Sequence, residues 1–93
     1  MKCVRLEVEN KRGVAMLIFV EPEAMDYWLR PGEACEVVAP VEDEGAHFEI
    51  HHTGEGMTIF PSRGCGIISV FQRGVELECG YQRPAGYYDE KKA

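Results

Sequence analysis

The chain has 93 residues, of which 45% are hydrophobic and 28% are charged, the balance of one globular domain. Its net charge is −6, from 16 acidic and 10 basic residues, and the lysines and arginines are scattered along the sequence. Because nucleic-acid binding needs clustered basic residues that displace counterions from phosphates, this pattern excludes nucleic acid and anionic membrane surfaces as default partners.

The first two predicted strands differ in how they bury their side chains. Residues 3–9 alternate between apolar and charged side chains, which is the period-two pattern of a strand with one buried face. Residues 14–21 are apolar on both faces, which predicts a strand that ends at Pro22 and is either central in its sheet or largely buried at a sheet edge by the C-terminal tail.

A proline–glycine turn joins the third and fourth predicted strands, residues 26–29 and 34–39. Pro31 presets φ at the second position of a type II turn, and Gly32 accepts a positive φ at the third. We expect one face of the fourth strand to point into the core, namely Cys35, Val37 and Ala39.

An acidic loop separates these strands from the second half of the chain. We predict the next four strands at residues 47–52, 57–60, 67–72 and 75–79. In the fifth strand, Phe48 and Ile50 should face the core. The last two flank Arg73-Gly74, a two-residue connection typical of a hairpin. We expect the last strand to turn its apolar residues inward, namely Val75, Leu77 and Cys79.

Eight short strands separated by frequent turns predict an all-β fold in a single domain of residues 1–80. The strands should be mostly antiparallel, and they can form either a small two-sheet β-sandwich or a flattened barrel. Residues 81–93 lose the alternating pattern, which predicts a partly disordered C-terminal tail.

Three segments resemble a group of small uncharacterised bacterial all-β proteins. They are an apolar strand ending in the Glu-Pro pair at 21–22, a Tyr-x-Leu-x-Pro-Gly segment at 27–32 and a valine-containing strand at 35–39; the glycine-containing hairpin at 71–77 resembles one that often ends these proteins. The resemblance covers residues 4–79 and consists mostly of turn chemistry. It implies a bacterial cytoplasmic protein, with no activity, cofactor or catalytic residue to carry over.

His47, Glu49 and His51 project from the same face of the predicted fifth strand. Two imidazoles and a carboxylate are the ligand types of a facial metal triad. One strand spaces them about 6.5–7 Å apart, so a group from a neighbouring strand would have to complete the site. These residues are candidate metal ligands of a metal- or small-ligand-binding β-barrel, and the competing interpretation is a solvated polar strand face.

Trp28 and Arg30 are candidates for an interaction surface. If the residues on either side of Trp28 face the core, its indole faces solvent, and an exposed tryptophan beside an arginine often marks a contact surface. The alternative is that the tyrosines of the C-terminal segment cover Trp28.

No catalytic constellation or nucleotide-binding motif occurs in the sequence. Cys65 lies between two glycines, but no helix follows it as a nucleophile elbow requires, so we expect a loop thiol. No apolar run approaches the ~20 residues of a membrane span, and the first five residues are charged and alternating rather than apolar, so we do not expect them to act as a signal peptide. We therefore predict a cytoplasmic, non-enzymatic protein-interaction module without a cofactor, and a possible homodimer through an edge strand.

Overall fold

The computed structural model describes residues 2–87 as two open β-sheets that pack face to face. The eight strands are β1 (Cys3–Glu9), β2 (Met16–Val20), β3 (Met25–Leu29), β4 (Ala34–Pro40), β5 (Phe48–His52), β6 (Gly56–Pro61), β7 (Ser69–Gln72) and β8 (Val75–Glu76). One sheet has the order β1-β4-β7-β8, and the other has the order β3-β2-β6-β5. The predicted all-β fold is confirmed as a sandwich, and the barrel alternative is wrong because neither sheet closes on itself.

The strands are mostly antiparallel, as predicted, but β2 and β6 run parallel. Their close pairing depends on a glycine: a Cβ atom at Gly56 would collide with the backbone of Leu17. β2 lies between β3 and β6, which confirms the predicted central strand.

The core lies between the two sheets and follows the alternation of the sequence. In β1, Val8 is buried and Leu6 is half-buried, whereas Glu7 is exposed. The predicted inward face of β4 is confirmed, since its three residues are at most 4% exposed. The side chains without any exposed surface come from both sheets and include Ile18, Leu29, Val37, Ile59 and Val70. Burial of such a side chain contributes about 1.5–3 kcal/mol.

Both predicted tight turns are present. The Glu33 N–H donates to the Arg30 carbonyl oxygen at 3.0 Å, and Gly32 has a φ of 85°. Between β7 and β8, Arg73 and Gly74 have φ values of 52° and 79°, the two positive angles of a type I′ hairpin. Local turn chemistry therefore fixes both connections.

The predicted last strand is too long. β8 contains only two residues, and Val75, which we expected inside, is 66% exposed. Cys79 is also exposed. The physical reason is that the chain leaves β7 to reach the opposite sheet, where the Gly80 N–H donates to the Asp26 carbonyl oxygen at 2.6 Å.

The beginning of the predicted C-terminal tail packs against β3. Tyr81 forms a parallel bridge with Tyr27, and its carbonyl oxygen accepts a hydrogen bond from the Trp28 N–H at 2.9 Å. The remainder of the predicted tail, residues 88–93, lies outside the described residues. Within residues 2–87, the structure contains no helix of the length and apolarity that crossing a membrane requires.

Candidate functional site

Each sheet has two outermost strands, and in each sheet one of these strands is covered or very short. The bridge between Tyr27 and Tyr81 occupies the outer side of β3, and β8 is only two residues long. Among residues 2–87, no strand pairs with the outer side of β1 or of β5. These two strands are therefore the long open edges, where unpaired N–H and C=O groups can bind another chain.

The hydrogen bonds at the start of β5 fix the direction of its backbone groups. The Ser62 N–H donates to the His47 carbonyl oxygen at 2.9 Å, so the backbone of His47 faces β6. Because backbone groups alternate in direction along an antiparallel strand, the odd-numbered residues of β5 also face β6. The even-numbered residues direct their N–H and C=O groups to solvent. We define the β5 edge as these outward backbone groups of Phe48, Ile50 and His52.

The side chains of β5 give this edge a polar outer face, with Glu49 and His51, and a largely apolar inner face, with Phe48 and Ile50 followed by His52. On the outer face, Nε2 of His51 lies 2.9 Å from Oε1 of Glu49, and the His51 ring meets the edge of Phe60 at a centroid distance of 5.0 Å. On the inner face, Ile50 pairs with the buried Ile59 but is itself 36% exposed. We predicted that Ile50 faces the core. It does so only partly, because β5 is the last strand of its sheet and no strand in the described part of the chain lies beyond it.

The predicted metal ligands are only partly brought together. Glu49 and His51 form a pair, whereas Nδ1 of His47 lies 2.9 Å from the Gly45 carbonyl oxygen. Within the described part of the chain, no group of three or more His, Cys, Asp or Glu side chains is placed to hold a metal ion. The wide spacing along a single strand, with no acidic or imidazole group added from β6, accounts for this arrangement.

The predicted exposed surface at Trp28 needs correction. Trp28 is only 4% exposed, because the Tyr87 ring packs edge-on against it at 4.9 Å. The Gln82 amide also donates to the Trp28 carbonyl oxygen at 2.9 Å. The alternative, in which the C-terminal segment covers the indole, is what the structure contains. Arg30 remains exposed.

A buried carboxylate holds this C-terminal segment in place. Asp26 is 1% exposed and accepts two hydrogen bonds from the Arg83 guanidinium, at 2.8 Å and 2.6 Å. The Trp28 indole N–H donates a third at 2.9 Å. The bonds from Arg83 are the largest cause that lowers the pKa of Asp26 to about 2, and they outweigh the opposing effect of burial. The site is a structural anchor, and no sequence pattern indicates it because its partners are 57 positions apart.

The cysteines form no reactive centre with the histidines in the described part of the chain. Burial raises the pKa of Cys35 to about 12, which leaves its thiol protonated. The half-buried Cys65 thiol lies 3.7 Å from the His47 carbonyl oxygen and 4.0 Å from the Ser62 hydroxyl. Neither group is the imidazole that a cysteine nucleophile needs as its base.

The fold and the β5 edge together define a class of molecule: a small two-sheet β-sandwich with one partly apolar, open strand edge. Comparison with protein-family models, with curated proteins and with solved structures finds no match for this chain. The resemblance to small bacterial all-β proteins thus stays a prediction.

Proposed function

We propose that this protein is a non-enzymatic protein-interaction module that binds an extended strand of another chain at the β5 edge. The observation that carries the proposal is the combination of outward backbone groups at Phe48, Ile50 and His52 with the exposed apolar surface of Ile50. In strand addition, backbone hydrogen bonds supply affinity, and alternating side chains supply specificity.

The β1 edge suits this role less well. The Asn10 N–H donates to the Glu33 carbonyl oxygen at 2.8 Å, so the even-numbered residues of β1 face β4. Its outward backbone groups belong to odd-numbered residues, three of which are charged: Arg5, Glu7 and Glu9. Charged side chains on an edge strand are a known protection against pairing.

The side chains of β5 indicate the chemistry of the bound strand. A residue that lies beside Ile50 on the inner face should be apolar, since it would cover the exposed part of that side chain. A residue on the outer face would lie beside Glu49, where a positive charge is favoured, or beside His51, where a hydrogen-bonding group is favoured. The expected ligand therefore alternates apolar and polar residues.

We also propose a cytoplasmic location and a bacterial origin. The four cysteines are free, which suits a compartment that keeps thiols reduced. The bacterial origin is supported by the sequence resemblance alone. The net charge of −6 supports a protein partner rather than a nucleic acid.

The substitution Ile50→Pro tests the proposal directly. It removes an N–H group that points to solvent, so it blocks the edge without breaking a β5–β6 hydrogen bond. Glu7→Pro makes the matched change at the β1 edge. The probe is a phage-displayed library of extended octapeptides, selected on the wild-type protein and followed by amide chemical-shift mapping.

We expect the selected peptides to shift the amide signals of Phe48, Ile50 and His52. Ile50→Pro should abolish binding, and Glu7→Pro should retain it. The proposal is wrong if no peptide is enriched, if the shifts fall on another surface, or if a well-folded Ile50→Pro variant binds as the wild type does. The amide spectrum of each variant checks its fold.

A further inference from the structure

We infer that the natural occupant of the β5 edge is β5 of a second copy, which runs antiparallel with Ile50 opposite Ile50. This inference rests on the proposed function and names the partner. Three features of the described residues carry it: the spacing of the outward backbone groups, the order of the charges and the exposure of Ile50.

The backbone limits the possible alignments of two β5 strands. Only the even-numbered residues can exchange hydrogen bonds across the edge, so each must face an even-numbered residue of the other copy. Three central alignments meet this condition, with the two-fold axis passing through Glu49, Ile50 or His51. The alignment through Ile50 uses all three outward residues, because Phe48 then faces His52 of the second copy and Ile50 faces its equivalent.

The side chains on the outer face distinguish these three alignments. An axis through Glu49 places two carboxylates opposite each other, and an axis through His51 does the same for two imidazoles. Only the axis through Ile50 places each Glu49 opposite a His51 of the second copy. Such directly opposed residues form a pair without backbone hydrogen bonds, about 4.5 Å apart at Cα, where the Glu49 carboxylate can accept a hydrogen bond from the His51 imidazole, whereas two carboxylates repel each other.

The pairing exchanges one partner for another of the same kind. Within a single β5 strand, Oε1 of Glu49 lies 2.9 Å from Nε2 of His51, and in the dimer each of these groups would turn to its counterpart on the second copy. On β6, the residues that flank His51 are Thr58 and Phe60, neither of which carries a charge that would compete. On the inner face, the two Ile50 side chains would cover each other.

The resulting dimer would join two four-stranded sheets into one continuous eight-stranded sheet. Its interface consists of one short strand from each copy, which places it among small, transient interfaces. We therefore expect a dissociation constant in the micromolar to millimolar range.

A charge exchange tests the alignment. Glu49→Lys and His51→Glu should each weaken self-association about tenfold, since both cross-strand pairs in each homodimer then lose their attraction. A mixture of the two variants should restore it, because the introduced lysine then faces the introduced glutamate, and the unchanged His51 faces the unchanged Glu49. Sedimentation equilibrium measures the homodimers, and titration of one isotope-labelled variant with the other measures the mixed dimer.

Glu7→Lys is the matched control for Glu49→Lys, since it makes the same change in net charge on β1 and should leave association unchanged. The inference is wrong if the mixture associates no better than the separate variants. It is also wrong if Glu7→Lys abolishes association, which would move the contact to β1.

Cysteine cross-linking provides a second test that does not depend on charge. With Cys3→Ser and Cys79→Ser as the background, a mixture of Glu49→Cys and His51→Cys chains should form a mixed disulfide in a glutathione buffer. The expected Cα separation of about 4.5 Å lies within the range that disulfides adopt. A Glu49→Cys chain that cross-links preferentially to itself would contradict the alignment.

Two outcomes separate failure of the dimer from failure of the proposed function. A protein that stays monomeric at millimolar concentration, yet binds selected peptides at the β5 edge, has a strand-binding site whose partner is another protein. A protein that neither self-associates nor binds peptides at β5 refutes both.

Discussion

Replacing Asp26 with asparagine should remove the charge that anchors the C-terminal segment to β3. The pKa of this carboxyl is lowered from 3.8 to about 2, chiefly by hydrogen bonds from Arg83. At about 1.4 kcal/mol for each pKa unit, the ionised form stabilises the fold by about 2 kcal/mol. Asp26 is 1% exposed but the Arg83 side chain is 34% exposed, so solvent screens part of this contribution.

The sign of the pH dependence follows from the lowered pKa. The stabilisation is complete above the unfolded pKa of 3.8, and it is lost as the pH falls through about 2. We therefore expect the free energy of unfolding of the wild type to exceed that of Asp26→Asn by about 2 kcal/mol at pH 7. This difference should shrink steadily below pH 3.8.

Urea titrations followed by the fluorescence of Trp28 measure both effects. Trp28 is the single tryptophan, and its indole N–H binds Asp26 at 2.9 Å. The Gln82 hydrogen bond lowers the pKa of Glu33 as well, and this contribution cancels in the difference where Gln82 stays bound to Glu33 in both proteins. Equal stability of the two proteins at pH 7, or a difference that persists undiminished at pH 2, would refute the reasoning.

Three further predictions concern single positions. Asn10→Ala should cost about 2–3 kcal/mol in urea titration, because the Asn10 amide binds the carbonyl oxygens of Val14 and Leu29 at 2.9 Å each; an unchanged midpoint would contradict this role. Gly56→Ala should lower the free energy of unfolding, measured by thermal denaturation, by at least ~2 kcal/mol, since the added Cβ atom would collide with the backbone of Leu17 in β2. In the folded protein, the exposed Cys3 should react with a disulfide reagent at pH 7, whereas the buried Cys35 should react only after unfolding, a difference that mass mapping of the labelled sites would detect.

Local sequence patterns predicted the strands and turns whose structure depends on residues that are close together in the sequence. The alternation at residues 3–9 identified β1 with its bounds, and the positive φ angles at Gly32 and Gly74 follow from the turn residues. The two-sided apolar pattern identified β2 as central. Each of these features depends on a few consecutive residues, so the sequence carries it directly.

Local sequence patterns could not predict the features that depend on the order of the strands in each sheet. Nothing near Ile50 in the sequence indicates that β5 lies at the end of a sheet, yet that position makes its backbone the candidate site. In the same way, Trp28 is buried because Tyr87 returns across the chain to cover it. Val75 is exposed at the start of a two-residue strand that lies at the end of its sheet. Packing between distant segments decided all three.

The bridge between Tyr27 and Tyr81 has a consequence for stoichiometry. The sheet that contains β5 has two ends, and the chain seals one of them with its own C-terminal segment. If copies pair through β5 as inferred above, growth along this sheet stops after two copies, whereas a sheet with both ends available could add copies indefinitely and form fibres. The same short contact that covers β3 would thereby protect this sheet from open-ended assembly.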